Sequence, residues 1–360
     1  MLYIDPNTIQ ARTARERHFD KMRCYVMRKL GENGCRVKSC SICYSRIEKL
    51  NDLPESVWSF LSDECNLAEI LTGDPETLLS VNDRFWLSIF PNYNYETWKG
   101  YFKKDRKYEN EVDEEAGEAE LDHTVIQTRE ITRILNEALN YKWFSQKAQK
   151  HYNAYQLTKS LRRDTCTYCN RAYTNTIIRQ IDAKPIIRPT LDHWFPKYNH
   201  PLLAVSFYNL VPSCPTCNSY IKGTNLESLD KVIHPYVDPL QTSDFEFAYF
   251  FENSLSQYQI FIRNLSSLNN KAVYTLNQMY MGTIYQAHEG DLNDLLTIQK
   301  NYSGSYIDSI KKLLGGKLTT SEIYKIAFGT EHKEKDFYKR PLSKFKHDIL
   351  RQMGLLQTDE

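Results

Sequence analysis

CTYCNRAYTNTIIRQIDAKPIIRPTLDHWFPKYNHPLLAVSFYNLVPSCPTCNSYIK, residues 166–222, contains most of the chemistry in this chain. Two Cys-x-x-Cys knuckles, Cys166/Cys169 and Cys214/Cys217, bracket Asp192, His193 and Asn209, and Asn218 follows the second knuckle directly. A Cys-x-x-Cys turn lets two thiolates reach one metal, and tetrahedral Zn2+ takes four soft or nitrogen ligands. Two knuckles therefore fill every coordination position and leave none for water. They predict a structural zinc holding together a module too small to fold well alone. A redox dithiol is the competing reading, but one redox pair needs no second pair, and no thioredoxin-like βαβ context surrounds these cysteines.

The residues between the knuckles carry different chemistry. Asp192 offers hard oxygen, which suits Mg2+ or Mn2+. In an extended strand its neighbour His193 points the opposite way, so one side chain can meet a metal while the other meets a water molecule. Asn209 offers an amide able to fix the imidazole's orientation. Asn218, expected in the first turn of a helix, offers an amide oxygen to the hard metal. Taken singly, each of the four also fits a capping, packing or surface role; their joint arrangement is what suggests a site.

This combination, Asp192-His193-Trp194-Phe195-Pro196-Lys197, then Asn209 to Cys214, then Cys217-Asn218 with Lys222 downstream, resembles the HNH, or His-Me finger, endonucleases. The resemblance covers roughly the stretch 161–228 and implies a ββα-metal core stapled by a four-cysteine zinc. It implies Asp192 and Asn218 as ligands of a catalytic Mg2+ or Mn2+, His193 as general base, Asn209 as the residue that orients it, and products with a 5′ phosphate and a 3′ hydroxyl. Asn218 stands where the strict pattern has His. Lys222, Lys197, Arg171 and Arg179 are candidate contacts to the nucleic-acid backbone, either as point charges or as guanidinium forks. His200 and His234 read as surface or packed histidines. The flanks, through the tail KRPLSKFKHDIL, resemble HNH proteins of bacterial anti-phage systems of the Septu and retron-associated types. That resemblance implies DNA as substrate and an ATPase or other sensor subunit as partner. The alternative is a zinc-ribbon module with a dead centre that binds nucleic acid or protein without cutting.

The rest of the chain sets the frame. Its 360 residues, 41% hydrophobic and 25% charged, suit a soluble globular protein of two or three domains. The net charge of +1 gives no global basic signature, but the charges are segregated. Residues 109–120 carry seven acidic side chains and no basic one, whereas 159–197 carry eight Lys or Arg against three Asp. The acidic run reads as solvated surface or as a restraint over the phosphate-binding face. No apolar signal core and no stretch of transmembrane length is visible, so a reducing cytoplasm is expected, where such cysteines favour metal.

A third Cys-x-x-Cys, Cys40/Cys43, suggests a second zinc completed by Cys24, Cys35 or His18; buried or free thiols are the competing reading. Phe19, Met22, Val26 and Leu30 predict a helix over 8–30, ended by Gly31. Short helices are expected over 54–104 with an aromatic core, one or two over 121–160, a hairpin over 245–265, and helices again from about residue 270. The expected class is α+β: a mostly helical chain with an embedded ββα zinc module. Its stretches are a helical 1–110, an acidic linker and helix 111–160, the nuclease module 161–228, and a hairpin and helical region 229–360.

Overall fold

The computed structural model describes residues 2–32, 35, 40–43, 47–102, 123–146, 152–181, 184–223, 228–239, 244–265, 270–301 and 306–356. It is mixed α and β, about 53% helical with small sheets, as the α+β reading expects. The acidic run 109–120 lies outside the described residues. Two compact units emerge, and they are not consecutive stretches. One comprises 7–161 and 192–211; the other comprises 1–6, 162–191 and 212–360. The stretch 161–228 is thus divided between them.

The first unit is helical. It holds α1 (Ile9–Lys29), α2 (Glu55–Ser62), α3 (Glu64–Thr72), α4 (Pro75–Ile89), α5 (Tyr95–Trp98), α6 (His123–Ala138), α7 (Tyr141–Ser145) and α8 (Ala154–Leu161). Starts are set by side-chain caps. Thr8, Asp63, Asp74 and Asn140 accept from backbone N–H groups that the first turns of α1, α3, α4 and α7 cannot otherwise satisfy. Pro54 sits at the cap of α2 rather than inside its first turn. Gly31, at φ +86°, stops α1 where expected.

Of the expected stripe of α1, Met22, Val26 and Leu30 are buried, and Ala11, Ala14, His18 and Tyr25 join it. Phe19 is only half-buried. In 121–160, expected to hold one or two helices, the described residues form three. Aromatics of α4 and α5 form core, not a groove: Phe85 and Trp86 are fully buried, and Trp86 packs on Phe102 with ring centroids 5.2 Å apart.

The second unit contains most of the sheet structure. β1 (Ile177–Ile178) pairs antiparallel with β2 (Pro185–Ile187). β3 (Thr190–His193) pairs with β4 (Leu210–Ser213). The expected hairpin forms fully: β5 (Phe245–Glu252) and β6 (Gln257–Asn264) stay in register from Phe245↔Asn264 to Glu252↔Gln257. Then follow α9 (Asn270–Gln278), α10 (Met281–Tyr285), α11 (Glu289–Asn301), α12 (Tyr306–Leu313), α13 (Thr320–Phe328) and α14 (Ser343–Gln352).

Helix α14 lies on β5. Lys344 and Asp348, both buried, form an ion pair at 2.8 Å. Lys344 also donates to the Phe245 carbonyl, and Asp348 accepts from Phe247 N–H, each at 2.9 Å. The charged part of the tail is therefore structural glue, satisfied on every side that burial requires. No described helix is long and apolar enough to cross a membrane.

His18 is fully buried, and burial pushes its pKa down to about 4, against a hydrogen bond to the Val205 carbonyl that raises it. Because the folded value lies below the ordinary 6.5, the unfolded chain takes up a proton first as pH drops. Stability should fall between pH 6.5 and about 4, by up to about 3 kcal/mol. Urea titrations of wild type and His18→Gln across that window should show this part of the pH dependence lost in the variant.

Candidate functional site

The central knuckles are built by tight turns. Asn170 adopts φ +52°, a left-handed conformation Asn tolerates, and its N–H closes onto the Cys166 carbonyl at 2.9 Å. After the second knuckle the chain winds into a short, wide helical turn, Cys217–Ile221, closed by Lys222 N–H onto the Cys217 carbonyl at 3.0 Å. Both turns aim their sulfurs inward. The Sγ atoms of Cys166, Cys169, Cys214 and Cys217 lie within 4.8 Å of one another, and all four residues are buried.

Zinc–sulfur bonds of about 2.3 Å place the corners of a tetrahedron about 3.8 Å apart. Cys169 and Cys214 are 4.0 Å apart. Backbone N–H groups of Cys214, Arg171 and Cys217 reach the sulfurs of Cys166, Cys169 and Cys214 at 3.2, 3.4 and 3.4 Å. Such donors stabilise thiolates. Hydrogen bonds from the neighbouring thiols, Cys166 first, together with the Cys217 N–H, hold the Cys214 thiol far below its ordinary range, while burial pushes Cys166 up. The donor set fits a metal such as zinc.

The knuckle is tied to the rest of its unit. The Asn170 side chain donates to Thr165 and to the Phe337 carbonyl, and Leu342 N–H donates to the Asn170 carbonyl at 2.7 Å. The Tyr285 hydroxyl donates to the Cys169 carbonyl at 2.6 Å. Arg171 donates from Nε to His288 Nε2 at 2.7 Å, and His288 Nδ1 meets Asp291 at 3.0 Å. Arginine only donates, so His288 accepts at Nε2 and carries its proton on Nδ1, facing the carboxylate.

In the helical unit, Asp192 and His193 occupy the last two positions of β3. Asp192 is buried, at 4% exposure. His193 is half-buried, and its Nε2 lies 2.9 Å from the Ala204 carbonyl. A carbonyl only accepts, so Nε2 carries the proton and the lone pair of the neutral ring is at Nδ1. Tyr141 meets the ring edge-on, with centroids 4.4 Å apart, and Lys197 Nζ stands 5.3 Å from the Tyr141 ring.

Asn209 acts differently from the expectation. Its fully buried amide does not hold the imidazole. Oδ1 accepts from Phe195 N–H at 2.6 Å, and Nδ2 donates to the carbonyls of Phe195 and Leu203 at 3.1 and 2.8 Å. It pins the loop between β3 and β4, and that loop, through Ala204, holds His193. His18 grips the next carbonyl: its Nε2 donates to Val205 at 2.7 Å while Nδ1 accepts from the Tyr152 hydroxyl. His18 is therefore no zinc ligand. Its role, like those of Ala204 and Tyr141, has no motif; the only trace is the three- and four-residue spacing that puts position 18 on the buried stripe of α1.

The candidate phosphate contacts are placed unevenly. Lys197 and Arg179 are exposed. Lys222, the favoured contact, is buried at 4% exposure, and Arg171 is engaged with His288. Arg163, in the basic run before the first knuckle, is buried against the Tyr338 ring, and burial pulls its pKa down to about 10. His200 stacks on Tyr95 at 4.8 Å, and His234 is fully buried, so both are packed residues.

Among the described residues, the groups of three or more metal-binding side chains are this cysteine set and a second one, Cys24, Cys35, Cys40 and Cys43. Either can hold a metal such as zinc. Compared with known proteins, the chain matches no family, no curated sequence and no solved structure.

Replacing Asn209 by Ala removes the side-chain partner of the buried Phe195 N–H and carbonyl, at a cost of about 1–3 kcal/mol each, whereas the Leu203 carbonyl keeps the Ser206 N–H at 3.2 Å. Asn209→Ala should therefore lower unfolding free energy by about 3 kcal/mol in denaturant titrations, and Asn209→Asp, which turns a buried carboxylate oxygen toward the two carbonyls, should lose at least as much.

Proposed function

We propose that the chain is a metal-dependent HNH endonuclease that hydrolyses DNA phosphodiester bonds, working as an effector of bacterial anti-phage defence beside an ATPase or sensor subunit. The observation that carries the reading is His193, held by the Ala204 carbonyl in the tautomer that leaves Nδ1 as the base, next in sequence to a buried carboxylate. The order β3, β4, helical turn, with thiol knuckles around it, supports the same reading. The defence setting, the partner and DNA rather than RNA rest on the sequence resemblance.

Asp192 fits a hard cation of the Mg2+ or Mn2+ kind. An ion of this kind takes one or two protein oxygens and keeps several waters. Asn218 enters as second ligand from the sequence order alone. When bound, such an ion supplies positive charge to the phosphate oxygen and the leaving 3′ oxygen. His193 Nδ1 takes the proton of the attacking water, and the Ala204 carbonyl stabilises the imidazolium that results by accepting from Nε2. Tyr141 limits ring rotation. Lys197, exposed near Tyr141, is the better placed phosphate contact, in place of the buried Lys222.

Plasmid cleavage by the purified chain with Mg2+, Mn2+ or EDTA tests the reading. Cleavage should require the divalent ion and fall by about 10²–10⁴ in His193→Ala. Cleavage that survives His193→Ala sinks the assignment of the base. A folded, zinc-loaded chain that binds DNA but never cuts it, with or without its partner, supports the zinc-ribbon binding module instead.

A further inference from the structure

Four cysteines outside the central stretch converge within the helical unit. Cys24 projects from α1, and Cys35, Cys40 and Cys43 come from the loop that follows it. Their Sγ atoms lie within 4.8 Å of one another. Cys24 to Cys43 is 3.5 Å and Cys24 to Cys40 is 3.8 Å. These are the edge lengths of a tetrathiolate tetrahedron, about 3.8 Å for zinc. Cys43 N–H closes onto the Cys40 carbonyl at 3.0 Å, a tight turn that keeps this pair together.

The surroundings suit a metal better than four thiols. Thiols are weak hydrogen-bond partners, and mutual convergence of four of them gains little over apolar packing. Four thiolates around a divalent cation carry a net charge of −2, and Lys21 Nζ stands 3.7 Å from Cys40 Sγ to offset it. Only Cys40 and Cys43 form a knuckle; the third and fourth ligands come from a helix and a loop residue, so the usual paired spacing is missing.

We propose that Cys24, Cys35, Cys40 and Cys43 form a second structural zinc site, which fastens Cys35 and the turn at residues 40–43 to the α1 helix. It is also the more exchangeable of the two sites, because Cys35 and Cys43 are partly exposed whereas the central four are all buried. This site is independent of the nuclease reading. Its contribution is to hold α1, the helix that supplies His18 to the loop behind His193.

Elemental analysis of the purified full chain tests it. Wild type should hold two zinc equivalents, and Cys40→Ser with Cys43→Ser should hold one. Cys65→Ser, at an exposed cysteine outside both sets, should keep two. A single equivalent in wild type, unchanged by the double substitution, overturns the proposal, as does iron in place of zinc. Thiol alkylation of wild type read by mass spectrometry decides the matter if the double variant fails to fold. In the metal-loaded chain Cys65 should label alone, and a chelator should release Cys35 and Cys43 before the central four. Labelling of Cys35 and Cys43 as fast as Cys65 without chelator, or release of the central set first, overturns it.

Discussion

Three successive carbonyls, those of Leu203, Ala204 and Val205, are held by Asn209, His193 and His18 in turn. The next residue, Ser206, donates its hydroxyl to the Ile70 carbonyl. The loop between β3 and β4 is buried, and a buried loop without ladder partners must find a donor for each carbonyl or lose the cost of desolvation. Imidazole and amide donors meet that need here. The consequence reaches the candidate site, because the bond that satisfies Ala204 also fixes the tautomer of His193. The backbone's demand for partners and the orientation of the His193 ring are one arrangement.

The second constraint is the scarcity of sheet in the central stretch. Strands of two to four residues cannot hold themselves together. The thiol cluster substitutes for a core, and Asn170 carries its hold outward through bonds to Phe337 and Leu342. The tail then locks to the long hairpin through Lys344 and Asp348. Charged residues of the tail are spent on internal pairing.

Basic residues illustrate why counting charges misleads. Lys222, Arg171 and Arg163 look interchangeable with Lys197 and Arg179 in a charge tally. Lys222 is buried, Arg163 is buried against a tyrosine face, and the half-buried Arg171 is engaged by a histidine acceptor. Long side chains reach inward as readily as outward, and only the packing around them settles the direction.

Local chemistry made several features legible from the sequence. Paired Cys-x-x-Cys turns announce a thiol cluster because the spacing itself brings two sulfurs together. The 245–265 hairpin follows from aromatic strands around a polar turn, and Asp or Thr before an apolar run marks a helix start. Each depends on residues within a few positions of one another. The fourfold convergence of Cys24 with Cys35, Cys40 and Cys43 depends on how a loop folds back on α1, so only Cys40/Cys43 stood out as a pair. The partners of Asn209, the burial of His18 and the division of residues 161–228 between two units are equally non-local. Chain segments far apart in sequence had to pack before these side chains could find which carbonyl to hold.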